Sequence, residues 1–417
     1  MQTYKFYLSY VNVSIFLTLY MQKFELKSTN LSFDNTENAF RGKTDAELKG
    51  AYWLFKLISI NFLTKIGPPI TNLALNIGLP IKSLIKATIF KHFCGGENIE
   101  ECEGTVKQLH EGSVGSILDY SVEGEEDEPV FDATCVEIMK TIQHADGDKR
   151  IPLTVFKATG LGKFALLEKM DAKQILDAEE SAAFERFKNR VDQICKMADD
   201  LDVKVMIDAE ESWIQDTIDV VALEMMRKYN QKKAIVYNTY QLYRHDKLAS
   251  LKADAEIASQ EKFFMGAKLV RGAYMEKERK RALSMNYPSP IQEDKESSDR
   301  DYNLALQFCI DKIELISFVA GTHNEDSCRL LAELLDEKSI PHNHEHVYFS
   351  QLLGMSDNLS FNLSAFGYNV AKYVPYGPVK AVMPYLFRRA EENTSVAGQM
   401  GRELRLIAVE LKRRGLN

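Results

Sequence analysis

From about residue 145 onward the chain alternates short β-branched runs with longer helical ones, and few folds accept that order. The strand-like runs are Pro152–Lys157, Val203–Asp208, Ala234–Asn238, Ala267–Arg271, Ile316–Ala320, Val347–Ser350 and Tyr368–Val374. A further short strand is expected at Pro288–Ile291. Helical stretches such as Trp213–Tyr229, Lys247–Phe264 and Asn324–Glu337 separate them. Parallel strands cannot be joined by tight hairpins, so repeated strand–helix–strand units imply a parallel sheet with crossover helices. Eight repeats in about 250 residues suit a barrel. The expected class is therefore α/β, a (βα)8 TIM-type barrel with an N-terminal helical arm.

Three regions follow: an N-terminal extension (1–35), the helical arm (36–145) and the catalytic barrel (146–417) with its final helices over the mouth. Residues 21–145 show no clear strand series. One arm helix is expected from Asp45 through Ile58, a break at Pro68-Pro69, and another helix from about Pro80 to Phe93. Between Glu47 and Glu97 there is no acidic residue, while Lys49, Lys56, Lys65, Lys82, Lys86 and Lys91 are present. Ile81, Leu84, Ile85 and Ile89 form one stripe beside Lys82 and Lys86. In a protein of net charge -8, such a basic amphipathic segment over 48–96 suits an anionic membrane surface; the plainer reading is packing on the barrel. The same net charge argues against a general nucleic-acid binder. Six cysteines without a C-x-x-C read as reduced, buried thiols. Phe6–Tyr20 is interrupted by Ser9, Asn12, Ser14 and Thr18, too polar for a membrane span and without a cleavage site. A start at Met21 is a competing expectation.

In a barrel the active residues come from the C-terminal ends of the strands. There the sequence reads Phe156-Lys157-Ala158-Thr159, Ile207-Asp208-Ala209-Glu210-Glu211, Tyr237-Asn238-Thr239-Tyr240-Gln241, Lys268-Leu269-Val270-Arg271-Gly272-Ala273-Tyr274 and Gly321-Thr322-His323-Asn324. Asp208, Asn238 and Asn324 are each good helix caps, which is the plain reading of any one alone. Convergence of all five ends on one mouth favours a site. After the last strand, Gly377-Pro378 opens a helix in which Tyr385, Arg388, Arg389 and Glu392 fall at i, i+3, i+4 and i+7. That spacing puts them on one face, and adjacent arginines make a fork for a carboxylate or phosphate. An Arg388–Glu392 pair on a solvated face is the alternative. Pro384 should kink or restart the helix.

Two other motifs compete. Thr159-Gly160-Leu161-Gly162-Lys163-Phe164-Ala165 matches a dinucleotide fingerprint, but the next strand lies too far on for a compact βαβ unit. His342, His344 and His346 alternate, and on an extended segment would share a face suited to a metal. They precede their strand, at the stability end of a barrel, whereas a metal-dependent hydrolase needs them at the other end.

With these motifs together, the chain resembles the proline dehydrogenase family from Leu118-Asp119-Tyr120-Ser121-Val122-Glu123 to Gly401. The likeness rests on the order and spacing of Ile207–Glu211, Leu269–Tyr274, Thr322-His323-Asn324 and the set Tyr373, Tyr385, Arg388, Arg389. The resemblance implies a distorted (βα)8 barrel with FAD bound non-covalently at its mouth. It implies oxidation of L-proline to 1-pyrroline-5-carboxylate by hydride transfer to flavin N5, the first step of proline degradation to glutamate. Electrons would pass to ubiquinone or menaquinone, placing the protein on the cytoplasmic side of a bacterial inner membrane, or at the mitochondrial inner membrane in a eukaryote. A separate pyrroline-5-carboxylate dehydrogenase would take the product.

Residue by residue, the resemblance assigns Lys157, Arg388 and Arg389 to the substrate carboxylate. It assigns Leu269, Tyr274, Tyr373 and Tyr385 to the walls around the ring, with Asp208 holding the Tyr373 hydroxyl. Gln241, Lys268, Val270, Arg271, Gly272, Thr322, His323, Asn324 and Glu392 would contact FAD, and no metal is implied. Lys268 departs from the arginine many relatives carry; it keeps the charge and loses the fork. The competing readings are a metal-dependent TIM-barrel hydrolase and a helical adaptor working through 36–115.

Overall fold

A computed structural model describes residues 31–58, 82–122, 126–395 and 399–416. The expectations for Phe6–Tyr20, the Met21 start and Pro68-Pro69 lie outside those residues. Eight parallel strands close into a barrel in sequence order. They are β1 (Gly115–Tyr120), β2 (Leu153–Lys157), β3 (Lys204–Asp208), β4 (Val236–Gln241), β5 (Met265–Val270), β6 (Ile316–Gly321), β7 (Val347–Leu352) and β8 (Val370–Tyr376). Closure runs through β1, which pairs with both β2 and β8. Helices cover the outside, so strands such as β4 and β8 are buried along their whole length. Their buried polar residues are paired: Asn238 with Asp219, Gln241 with the Glu210 carbonyl and Lys372 with the Met355 carbonyl. Ile117, Leu153, Val155, Met206, Tyr237, Val319, Ala371 and Tyr373 fill the interior as one cluster.

Two strand expectations are corrected. The expectation of no clear strand series in residues 21–145 fails at β1, which lies within them, so the barrel begins at Gly115. Its buried Ser116 and Asp119 dilute the apolar signal that would mark a strand. Conversely, Pro288–Ile291 forms no strand. Ile291 makes a single antiparallel bridge with Arg244, and the Pro290 carbonyl accepts from His245 N–H at 3.1 Å. Prolines at 288 and 290 remove two of the donors a ladder needs.

The arm helix Asp45–Ile58 forms as expected. The second arm helix runs as Lys82–Ile85, a π-helical turn Lys86–Phe90, and Lys91–Phe93. The wider turn rotates the buried face, so the stripe passes from Ile85 to Phe90 and Phe93, with Ile89 only half-buried. Lys82 and Lys86 pair with Glu97 at 3.0 and 2.9 Å, and Lys86 also with Glu101 at 3.0 Å. Both arm helices share an apolar core with the last two helices, Val379–Ser395 and Gln399–Arg413. Phe40, Leu48, Phe55, Phe90 and Phe93 meet Val382, Met383, Leu386, Leu406 and Ile407 there. Pro384 sits inside the helix Val379–Ser395, which continues through it. All six cysteines are buried and unbridged.

Candidate active site

The polar residues at the C-terminal strand ends form one buried array. Asp119 of β1, Lys157 of β2, Asp208 of β3 and Lys268 of β5 alternate in charge. Lys157 lies 3.5 Å from Asp119 and 3.6 Å from Asp208. Lys268 forms an ion pair with the other Asp208 oxygen. Lys268 also donates to the Tyr373 hydroxyl of β8 at 2.7 Å and lies 4.8 Å from the centre of that ring. Burial and the nearby Asp208 raise the Tyr373 pKa well above the usual tyrosine value. The phenol therefore stays protonated and donates to Asp208 at 3.4 Å. The expected Asp208–Tyr373 bond is thus present, and Lys268 turns toward it.

The other expected cofactor residues line the rim from β4 to β6. Gln241 donates to the Glu210 carbonyl at 2.7 Å, which leaves its amide oxygen as an acceptor. Arg271 donates to Asp299 at 2.7 Å, Thr322 at 2.8 Å and Ser327 at 2.9 Å. Three of its five N–H groups are thereby committed. Val270 ends β5, and Gly272 follows with φ of +141°. A Cβ there would come within 2.3 Å of the Tyr243 ring, so glycine is required for the turn. Burial, reinforced by Lys372 and Arg389, lowers the His323 pKa to about 3, so the ring is neutral. Asn324 caps the helix Glu325–Glu337 by accepting from Ser327 N–H at 2.9 Å. Asp208 and Asn238 do not cap: the helix after β3 starts at Ser212, and Asn238 lies within β4.

The remaining expected substrate residues are less concentrated. Leu269 is fully buried in β5. Tyr274 is half-buried where the helix Met275–Met285 begins. Tyr385 is buried among the apolar residues shared with the arm, and the Arg389 guanidinium lies 5.1 Å from its ring centre. Arg389 is only 7% exposed, and its charge acts on His323. That effect ties the arginine helix to the β6 end of the mouth. Arg388 is half-buried on the same helix. Glu392 continues the helix, with its side chain outside the described set.

Two residues at the mouth carry more than the sequence suggested. Asp119 is 3% exposed, and its Oδ1 has no hydrogen-bond partner among the described residues. Glu210 is buried, and burial pushes its pKa up to about 7 against hydrogen bonds from Thr159. Their only sequence signal was adjacency to Tyr120-Ser121 and Asp208 in the motifs above. An open groove of about 1340 Å³ runs along the arm to the arginine helix, lined by Lys43, Trp53, Phe90, Gly354 and Met383, and none of the barrel-mouth residues named above lines it.

The competing motifs resolve structurally. After β2 the fingerprint segment opens the helix Phe164–Asp171, and a second helix, Ala178–Asp200, intervenes before β3. The histidines sit on successive turns before β7, not on an extended segment. His342 bonds Asp336 at 2.7 Å, and His346 bonds the Ile313 carbonyl at 2.8 Å. Among the described residues no group of three or more His, Cys, Asp or Glu is placed to hold a metal ion.

Comparison with known proteins agrees with this geometry. The family model described as proline dehydrogenase matches residues 102–402. Proline dehydrogenase 1, mitochondrial, of Dictyostelium discoideum is 32% identical over 91% of this chain and 74% of its own length. The human protein of the same name is 40% identical over 57% of this chain and 40% of its own length. The carbapenem antibiotics biosynthesis protein CarD of Pectobacterium carotovorum is 33% identical over 80% of this chain and 85% of its own length. Among solved structures, proline utilization A from Bdellovibrio bacteriovorus, inactivated by N-propargylglycine, superposes with a TM-score of 0.68 at 20% identity, over 91% of this chain and 40% of that one. The last likeness concerns the fold, and the chain spans less than half of that protein. The barrel, the array at its mouth and a family match over most of the sequence lead to one conclusion: this chain belongs to the proline dehydrogenase family.

Proposed function

We propose that the chain oxidises L-proline to 1-pyrroline-5-carboxylate with FAD held at the β4–β6 rim. The observation that carries this is the pinned Tyr373: a protonated phenol fixed by Lys268 and Asp208 at the barrel mouth, beside the Lys157 ammonium. A flavin dinucleotide needs polar groups along one ring edge and a cation near its pyrophosphate. Gln241, Thr322 and His323 supply the first and Arg271 the second, so the residues fit the group. Bound there, FAD would accept the hydride from the ring carbon next to nitrogen.

The chain's own residues bind and orient. Lys157 and the buried Arg389, with Arg388, suit the proline carboxylate, since buried bidentate arginine fixes direction as well as charge. Asp119 Oδ1 offers an acceptor to a ligand N–H. Tyr373, held at its hydroxyl, limits room around the ring and favours proline over 4-hydroxyproline. Purified protein should be yellow and bleach when proline is added without oxygen. A protein that takes up FAD yet keeps its colour with proline would overturn the substrate assignment.

We place the electron acceptor, ubiquinone or menaquinone, in a membrane that the protein touches peripherally. Among the described residues no helix is long and apolar enough to cross a membrane. The Dictyostelium and human relatives are mitochondrial proteins by name, which favours the mitochondrial inner membrane over a bacterial one. A separate pyrroline-5-carboxylate dehydrogenase would carry the product on to glutamate.

A further inference from the structure

Behind the proposed cofactor rim lies a buried charged cluster that the reaction itself does not use. Asp357 pairs with Lys372 of β8 at 2.8 Å and with Lys43 of the arm at 3.1 Å. Lys372 is fully buried and also donates to the carbonyls of Met355 at 2.6 Å and Leu352 at 3.2 Å. Glu403, buried on the helix Gln399–Arg413, accepts the backbone N–H of Ser356. Its neighbour Arg402 pairs with Glu325, two residues after His323. The last helix therefore grips both segments that meet at His323.

Ser356 is the joint. Its φ is +50°, a left-handed conformation that side chains with a Cβ disfavour. Hydrogen bonds hold it there: its N–H to Glu403, and its carbonyl from Leu359 N–H at 3.0 Å and Ser360 N–H at 3.1 Å. From this turn the Ser356 hydroxyl meets His323 Nδ1 at 2.9 Å. The other ring nitrogen, Nε2, makes no protein hydrogen bond among the described residues and is left for a ligand.

We propose that Glu403 is a positioning residue for the cofactor site: by holding Ser356 in its left-handed turn it fixes His323, and so makes the order of the rim depend on docking of the helix Gln399–Arg413. This rests on the assignment of His323 to FAD. Glu403 touches neither substrate nor cofactor. It acts through one backbone N–H and one hydroxyl; burial and the nearby Asp357 push its pKa up to about 7, against the Ser356 N–H and the charges of Lys372 and Lys43.

Titration of the full-length apoprotein with FAD, followed by quenching of flavin fluorescence, reads the site without turnover. Glu403→Ala should weaken FAD binding about tenfold, the scale of one lost hydrogen bond in an ordered site. Glu403→Gln keeps an oxygen that accepts the Ser356 N–H, and should bind within about threefold of wild type. Ser356→Ala keeps the bond to Glu403 and removes only the hydroxyl. It should weaken FAD binding by a similar factor with an unchanged Tm, and it decides the matter if Glu403→Ala does not fold. Wild-type affinity in Ser356→Ala, or in a folded Glu403→Ala, overturns the proposal. A wild-type protein that binds no FAD removes the cofactor assignment itself, and the proposal with it.

Discussion

At the scale of single residues, burial decides which charges matter. Arg389 is almost fully desolvated, so a carboxylate bound to it gains a strong, directional pair. Arg389→Met should raise KM for proline by about ten- to a hundredfold, the scale of a lost charge-assisted hydrogen bond, with little loss of folding. Unaltered kinetics would return the arginine pair to an ordinary helix face. Glu210 makes a different point. Its carboxyl ionises near 4.5 in the unfolded chain but near 7 in the fold. Between those values the folded chain holds the extra proton, so stability falls as pH rises through the window. The slope from this group is at most about 1.4 kcal/mol per pH unit. Glu210→Gln cannot ionise, so its stability relative to wild type should climb across the window and level off above it. Denaturant midpoints across that range check this, and parallel curves would refute it. The sequence offered Arg389 by its spacing beside Arg388, whereas Glu210 showed only as one acid among several after β3. Its proton is a consequence of burial that no motif encodes.

At the scale of elements, the strand ends do most of the positioning. Lys268 and Tyr373 stand far apart in sequence and meet because β5 and β8, three strands apart around the closed barrel, both send side chains into its narrow interior. The turn after β5 depends on Gly272, where a side chain would both strain the backbone and strike the Tyr243 ring. Gly272→Ala should cost about 1–3 kcal/mol and weaken FAD binding along with it. A variant with normal Tm and normal flavin affinity would show that the turn tolerates change. The arm shows where periodicity misleads. An α-helical stripe through Ile81, Leu84, Ile85 and Ile89 fits the sequence, but the π-turn Lys86–Phe90 inserts a residue and hands the buried face to Phe90. A helical wheel assumes a constant pitch, and nothing local announces the wider turn.

At the scale of the whole molecule, the arm and the two last helices form a second apolar core beside the barrel, and this changes where a membrane would be met. Lys82 and Lys86, the basic residues singled out beside the stripe, are turned to Glu97, whose carboxylate also accepts Val379 N–H at 3.3 Å. They therefore brace the start of the arginine helix. The face of the helix Asp45–Ile58 that carries Lys49, Trp53, Lys56 and Leu57 points outward, with Trp53 63% and Leu57 55% exposed. An aromatic and an aliphatic residue between lysines is the pattern of an interfacial helix. Trp53→Ala with Leu57→Ala should reduce binding to anionic liposomes and leave Tm unchanged. Lys82→Glu with Lys86→Glu should lower Tm instead. Co-sedimentation and thermal melts on both variants separate the two, and equal liposome binding in the first would remove the membrane role of that face.

The sequence by itself determined the class of fold, the order of most strands, the arginine helix and the set of reactive residues at the strand ends. Those features are local: alternation of strand and helix, caps, and spacing on one helix are written in neighbouring residues. It did not determine that β1 closes the barrel, because the buried polar Ser116 and Asp119 interrupt the apolar pattern. Nor did it show that Lys268 binds Tyr373, that Lys82 and Lys86 pair with Glu97, or that Glu403 reaches Ser356. Each of those pairs distant segments whose distance and burial exist only once the chain has closed on itself.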